Sequence, residues 1–306
     1  MGLFHCPMGA AFYDDDPCID CGMCYAKSKD EMVEASKKLR EYIRAHAPKN
    51  STVRKIAVCG KGGVGKSTVV TLLANALRDA GYSVLVLDTD ESNPGLFRMF
   101  GFKEQPKPLT TVLRRLPSGK KEPDAEWLKP DEIAVRDIPS DYIASRDGLR
   151  FLMVGKIEDP FQGCACSMAS IARDLVAKLA VQDKEVMLID MEAGIESFGR
   201  GVERNVDTVL VVVEPSFESM ALAERIVYMA EGMGISRARA ILNKVPSEKT
   251  KQKMIEELDK KRVKTLGTIY YDPALNEAGF LGKAPPTSKA TEDVKGIVGL
   301  LFDMIR

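Results

Sequence analysis

The stretch Gly60 to Thr68, GKGGVGKST, constrains this chain more than any other. It follows a short apolar run, Lys55-Ile56-Ala57-Val58-Cys59, and opens an amphipathic segment from Thr68 to Ala80. The order is therefore strand, glycine loop, helix. The spacing Gly60-x4-Gly65-Lys66-Ser67 is that of a P-loop. Glycines in such a loop let backbone N–H groups turn inward around phosphate oxygens, and the helix N-terminus adds a favourable partial charge. Gly60, Gly62, Gly63, Val64, Gly65, Lys66, Ser67 and Thr68 are thus the expected phosphate-binding residues. Lys66 would reach the outer phosphates and Ser67 would ligate Mg²⁺. The rival reading is a glycine-rich turn that binds nothing. The strand before it and the helix after it argue against that.

From Val53 onward apolar strand-length runs alternate with amphipathic stretches, which predicts an α/β fold, a mostly parallel sheet with helices on both faces. The strand candidates are 55–59, 83–88, 149–154, 185–190, 207–213, 238–243 and 264–269. Residues 103–147, rich in Pro, Lys and Asp, break the alternation and are expected to form an excursion, with a partner surface as one use for it. Thr291 to Arg306 reads as a helix with Val294, Ile297, Val298, Leu301, Met304 and Ile305 on one stripe. Its polar face mixes Lys295 and Arg306 with Glu292, Asp293 and Asp303, so a covering helix is favoured over a lipid anchor, which needs a basic face.

Length and charge set outer limits. The 306 residues suffice for one large α/β domain, 51–306, preceded by a small module, 1–50. Acidic and basic residues balance at 44 each, so no strong field favours nucleic acid or anionic lipid. The longest apolar runs fall far short of the ~20 residues a membrane helix needs. The N-terminus lacks the basic start and apolar core of a signal peptide, and a cytoplasmic location is expected. Seven cysteines in that compartment point to metal ligands rather than disulfides. Cys59, at the end of a strand, reads as a buried apolar residue.

Acidic residues flank the P-loop in sequence. A strand ends Leu87-Asp88-Thr89-Asp90, and a later one ends Met187-Leu188-Ile189-Asp190, followed by Met191-Glu192-Ala193-Gly194. Carboxylates at the carboxyl ends of strands sit where Mg²⁺ and attacking water are organised. Asp190 is placed to hold Mg²⁺ through water, and the Gly194 N–H to meet a γ-phosphate, as a switch that changes shape when that phosphate leaves. The base can also be argued. Ala238 to Lys244 reads as a strand ending Asn243-Lys244-Val245-Pro246, and guanine readers carry an aspartate where Pro246 stands. ATP is expected, with Asn243 on the adenine amino group and Pro273 among the residues walling the base.

Two cysteine groups call for metal. Cys18-x2-Cys21-x2-Cys24 in DPCIDCGMC looks like half of a bacterial ferredoxin, and Cys6-Pro7 upstream supplies a fourth thiolate. One [4Fe–4S] cluster on Cys6, Cys18, Cys21 and Cys24 is expected, with a structural Zn(Cys)₄ site as the alternative. A ferredoxin-like module would then run through a helix over Lys27 to Ala47 to a turn-rich linker at Pro48–Thr52. The second group is Cys164-Ala165-Cys166. A single C-x-C leaves ligand positions empty, and a twofold dimer fills them with a second C-x-C, enough for [4Fe–4S], Zn²⁺ or another soft-ligand metal.

KGGVGKST, with its extra lysine at Lys61, resembles the deviant P-loop of the MinD, ParA and nitrogenase iron protein class. The resemblance implies a homodimer that closes over two ATP molecules, with Lys61 crossing to the partner's nucleotide. It also gives Asp90 the task of orienting water and Asp88 a place in the Mg²⁺ shell, so Lys61, Lys66 and Asp90 are the expected catalytic residues. VGKIEDPFQGCACS followed by LIDMEAGIESFGRGV is similar to the ATPases that assist nickel insertion into carbon monoxide dehydrogenase. That similarity implies a C-x-C metal site at the dimer interface and a client metalloenzyme of the carbon monoxide dehydrogenase kind. The N-terminal ferredoxin-like module is a departure from that pattern. Three readings stay open: nickel delivery, ATP-gated electron donation to a client, and a MinD- or ParA-like spatial organiser. The neutral charge and the two metal motifs weigh against the last.

Overall fold

The computed structural model describes residues 28–31, 33–35, 37, 38, 53–90, 95–113, 123–155, 165–195, 205–235 and 237–303. Cys6, Cys18, Cys21, Cys24 and Cys164 lie outside the described residues, as does the side chain of Cys166. Of the helix expected over 27–47, the described positions between 29 and 38 are helical.

Eight strands form one sheet. In chain order they are β1 (Lys55–Gly60), β2 (Ser83–Asp88), β4 (Ala144–Arg146), β5 (Leu149–Met153), β7 (Glu185–Asp190), β8 (Thr208–Val213), β9 (Arg237–Val245) and β10 (Thr265–Tyr270). Across the sheet they run β10-β9-β8-β1-β7-β2-β5-β4, and β3 (Ile133–Ala134) pairs separately with β6 (Leu179–Ala180). Every pair in the large sheet is parallel except β4 with β5. All seven expected strands are present, each within two residues of its expected ends.

The sheet is apolar on both sides because helices cover both. Along β1, Ile56 and Val58 face one core, and Ala57 and Cys59 face the other. On β8, Leu210 and Val212 join the first and Val209, Val211 and Val213 the second. This period-2 partition of a continuously apolar run is the mark of a doubly covered parallel strand. One layer contains α1 (Lys66–Asp79), the short α2 (Leu96–Met99) and α7 (Lys289–Asp303). The opposite layer contains α3 (Ala165–Lys178), α4 (Phe217–Gly232) and α5 (Glu248–Lys260). A further helix, α6 (Pro273–Phe280), follows β10.

The last helix covers the core, as expected. Ala290, Val294, Ile297, Val298 and Leu301 of α7 are buried, and Phe302 stacks on Tyr82 at 4.7 Å between ring centroids. The described parts of the excursion over 103–147 are packed against the sheet. Leu109, Val112, Ile133, Val135, Ile138 and Tyr142 are buried with α3 in one core, and Lys178 of α3 donates to the Leu128 carbonyl at 2.8 Å. Its 3-10 turns at Leu109–Leu113 and Pro123–Leu128 and its two- and three-residue strands carry no period long enough to read from sequence.

Candidate nucleotide site

β1 lies between β7 and β8, so the loop it feeds emerges at the middle of the sheet's carboxyl edge. Gly60 and Gly65 are the positions where glycine is required. Gly60 has φ 147°, and a Cβ there would lie 2.5 Å from the Val212 carbonyl oxygen. Gly65 has φ 93° as the residue capping α1, and its Cβ would lie 2.7 Å from Asn243 Nδ2. Any larger residue would be strained at both. The α1 N-terminus carries no side-chain cap, so its first N–H groups point out for an anion. Lys66 is buried at the base of the loop.

Three carboxylates gather beneath it. Asp88 and Asp190 are register partners on neighbouring strands β2 and β7, and Asp90 follows two residues later. All three are buried. The turn between them is pinned: the Asp90 N–H donates to Asp88 Oδ1 at 3.1 Å, and the Thr89 N–H and hydroxyl both donate to the Asp190 carbonyl, at 3.0 and 2.8 Å. Ser67 Oγ donates to Asp190 Oδ2 at 2.7 Å, while Asp190 Oδ1 is buried without a hydrogen-bond partner. Burial pushes the Asp190 carboxyl up to about 7, Asp88 pushes the same way, and the Ser67 hydroxyl and Lys66 pull against them.

An orphaned buried carboxylate oxygen beside a serine hydroxyl and two further carboxylates is a donor set suited to a hard divalent cation. The residues therefore fit Mg²⁺, which Ser67 and Asp190, with Asp88 beside them, would hold. Among the described residues no three His, Cys, Asp or Glu side chains form a metal cage. The remaining ligands would come from water and nucleotide phosphates, as is usual for Mg²⁺.

Asn243, at the end of β9, reaches the same loop: its Nδ2 donates to the Val64 carbonyl at 2.8 Å. That contact and the buried Val64 side chain anchor the loop from below. The Gly194 N–H donates to the Gly60 carbonyl at 3.2 Å, with Gly194 at φ 97°. Pro273 stands further out, at the first turn of α6 after β10, behind Asp272, whose Oδ1 accepts from the Ala274 N–H at 3.0 Å. The structure thus joins Gly60–Thr68, Asp88, Asp90, Asp190, Gly194 and Asn243 at one edge, with Pro273 one strand beyond Asn243.

Two residues of the site escaped the sequence reading. Glu214 follows β8, and Lys244 follows Asn243 in left-handed backbone, φ 55°. Lys244 Nζ donates to the Gly63 carbonyl at 2.5 Å and lies 3.4 Å from Glu214 Oε2, while Lys61 Nζ lies 3.6 Å from Glu214 Oε1. Their only sequence signal is position: Glu214 stands just past the carboxyl end of β8 and Lys244 in the last residues of β9, where ligands of parallel sheets bind.

Known proteins bear on this geometry. Residues 55–285 match the CobQ/CobB/MinD/ParA nucleotide binding domain. An uncharacterized ATP-binding protein of Methanocaldococcus jannaschii is 35% identical over 258 residues, 81% of this chain and 99% of that protein. The carbon monoxide dehydrogenase accessory protein CooC of Rhodospirillum rubrum is 35% identical over 236 residues, 74% of this chain and 88% of that protein. Among solved structures, the septum site-determining protein MinD of Pyrococcus horikoshii, complexed with Mg-ADP, superposes with a TM-score of 0.60 at 18% identity, covering 81% of this chain and 95% of that one. This last likeness concerns the fold. With a complete P-loop, a buried aspartate hydrogen-bonded to the P-loop serine and a domain match over most of its length, this chain belongs to the CobQ/CobB/MinD/ParA nucleotide-binding family and is a P-loop ATPase.

Proposed function

We propose that this ATPase serves the maturation of a metalloenzyme, as a homodimer whose ATP-driven closure acts on a metal or cluster held between protomers by Cys164 and Cys166. The observation that carries this reading is the 35% identity to a carbon monoxide dehydrogenase accessory protein over 88% of that protein's length. The C-x-C just ahead of a DMEAG strand end supports it. The client would be carbon monoxide dehydrogenase or an enzyme like it.

Hydrolysis would be in-line attack of water on the γ-phosphate. Mg²⁺, when bound at Ser67 and Asp190, neutralises phosphate charge. Lys66 and, from the partner protomer, Lys61 stabilise the charge that develops as the phosphoryl group transfers, and Asp90 orients the water. The Asn243 amide has committed Nδ2 to the P-loop, which leaves Oδ1 as the acceptor for an adenine amino hydrogen. For Gly194 to meet the γ-phosphate its N–H must leave the Gly60 carbonyl, which gives the segment after β7 two alternative partners and makes it a switch. Hydrolysis then times the opening of the dimer.

A second reading has its own support in DPCIDCGMC. A cubane on Cys6, Cys18, Cys21 and Cys24, next to a shared interface cluster, would make an electron relay to the client. Metal analysis of anaerobically purified dimer separates the two. A cubane per chain plus a shared interface cubane gives about six irons per protomer, favouring electron donation. About four irons with half an equivalent of nickel or zinc favours metal delivery. Near-zero iron removes the N-terminal cluster.

A further inference from the structure

We propose that Glu214 is a positioning residue that holds Lys61 on its own protomer until ATP-driven dimer formation draws the lysine away. The inference deepens the reading above and rests on it, because it takes Lys61 to act on the partner's nucleotide. Its evidence is a three-membered charge cluster at the rim of the P-loop. Glu214 Oε1 lies 3.6 Å from Lys61 Nζ, and Glu214 Oε2 lies 3.4 Å from Lys244 Nζ. Lys244 in turn donates to the carbonyl of Gly63, inside the loop that Lys61 opens. One carboxylate thereby spans the ends of β8 and β9 and the first half of the P-loop.

The backbone of Glu214 is well placed to hold a fixed post. Its N–H donates to the Ser219 hydroxyl at 3.1 Å, and its carbonyl accepts from the Ser216 N–H at 2.7 Å. Ser219 is buried in the first turn of α4, so the turn carrying Glu214 is tied to the core. Lys61 differs: its loop neighbours Gly62 and Gly63 are exposed, and a Cβ at Gly63 would meet nothing within 4 Å. The lysine is the more exposed member of the pair, and the glutamate is the one whose turn is tied to the core.

The chemistry suits a releasable hold. The Lys61 and Glu214 side chains are 39% and 22% exposed, and a pair that wet is weak and salt-sensitive. Lys61 can leave without stranding a buried charge, because Lys244 stays to neutralise Glu214. A lysine that departs alone from a two-membered buried pair would pay a far larger penalty. With Lys61 parked, its ammonium is engaged within its own protomer. With Lys61 released, a second ATP site can claim it.

The test is the monomer–dimer equilibrium of full-length, metal-loaded protein, measured by analytical ultracentrifugation with Mg-AMPPNP. The variants are Glu214→Gln, Lys61→Ala and the double variant. Glutamine keeps the size and polarity of Glu214 and removes only its charge, and a thermal melt confirms each fold. The expected result is an E214Q dimer constant about two- to fivefold lower than wild type, from loss of an exposed ion pair in the monomer alone. That gain should shrink in high salt and vanish in the K61A background. If K61A is dimer-defective but E214Q dimerises as wild type does, the hold is overturned while the crossing lysine stands. If E214Q weakens both AMPPNP binding and dimerisation, Glu214 is a brace for the loop, and the hold is overturned too. If K61A dimerises normally, the crossing lysine falls and takes the hold with it.

Discussion

A carboxylate removed from water without a full set of donors resists ionising, and Asp190 is in that position: burial and Asp88 lift it to about 7. The consequence for stability has a definite sign. A carboxyl whose folded value lies above its unfolded one contributes stability that is present at low pH and lost as pH rises through the folded value. Nucleotide-free protein should therefore lose stability between about pH 4 and 7, on the order of 1 kcal/mol per unit. Asp190→Asn removes the titration, so its apparent gain in Tm over wild type should be near zero at about pH 4 and clear at pH 8. Thermal melts across that range, without Mg²⁺, decide it, and an unchanged difference at both ends would show that Asp190 is already ionised. Gly65 gives a second outcome at this scale. Alanine there meets a left-handed backbone and Asn243 Nδ2, so Gly65→Ala should cost about 1–3 kcal/mol and erase the thermal shift produced by Mg-AMPPNP. The places of Gly65 and Asp190 at the P-loop were legible in sequence because motif spacing encodes them. Glu214 was not, since a lone glutamate after an apolar strand looks like any solvated turn acid.

At the scale of elements, the strands that could be read were those with continuous apolar runs, such as Thr208–Val213, where both faces are covered. The short strands β3, β4 and β6 were not, because two or three residues show no alternation. The final helix was legible from its stripe, yet its closeness to the sheet was not. That closeness comes from Gly267 on β10: a Cβ there would lie 2.5 Å from Ile297 Cγ1 of α7. Gly267→Ala should push α7 off the strand and destabilise by about 1–3 kcal/mol through overpacking. Ile297→Ala alone should cost about 2–4 kcal/mol by opening a cavity. In the double variant the new methyl occupies part of that cavity, so the combined loss should fall short of the sum, a coupling that urea denaturation would measure. Strict additivity would mean that α7 adjusts freely and that the close approach is incidental.

At the scale of the whole molecule, the question is how the chain divides. Among the described residues, two cores, one on each side of the sheet, account for the buried apolar residues from Val53 to Leu301, and Ala35, though buried, belongs to neither. The sheet, the P-loop and every nucleotide-site residue described above lie within that span. A variant beginning at Val53 should therefore keep its Tm within a few degrees and its Mg-AMPPNP affinity within about threefold of the full chain, since an independent core folds and binds alone. It should lose about four irons per protomer, the content of one cubane on Cys6, Cys18, Cys21 and Cys24. What it retains is then assigned to Cys164 and Cys166, and replacing both with serine should abolish that remainder while leaving nucleotide affinity intact. The two steps separate the claims cleanly. Iron unchanged by the truncation would move the cubane out of the first fifty residues. A large loss of nucleotide affinity would mean that the N-terminal segment completes the ATP site, so that cluster and ATPase are one unit rather than two joined by a linker.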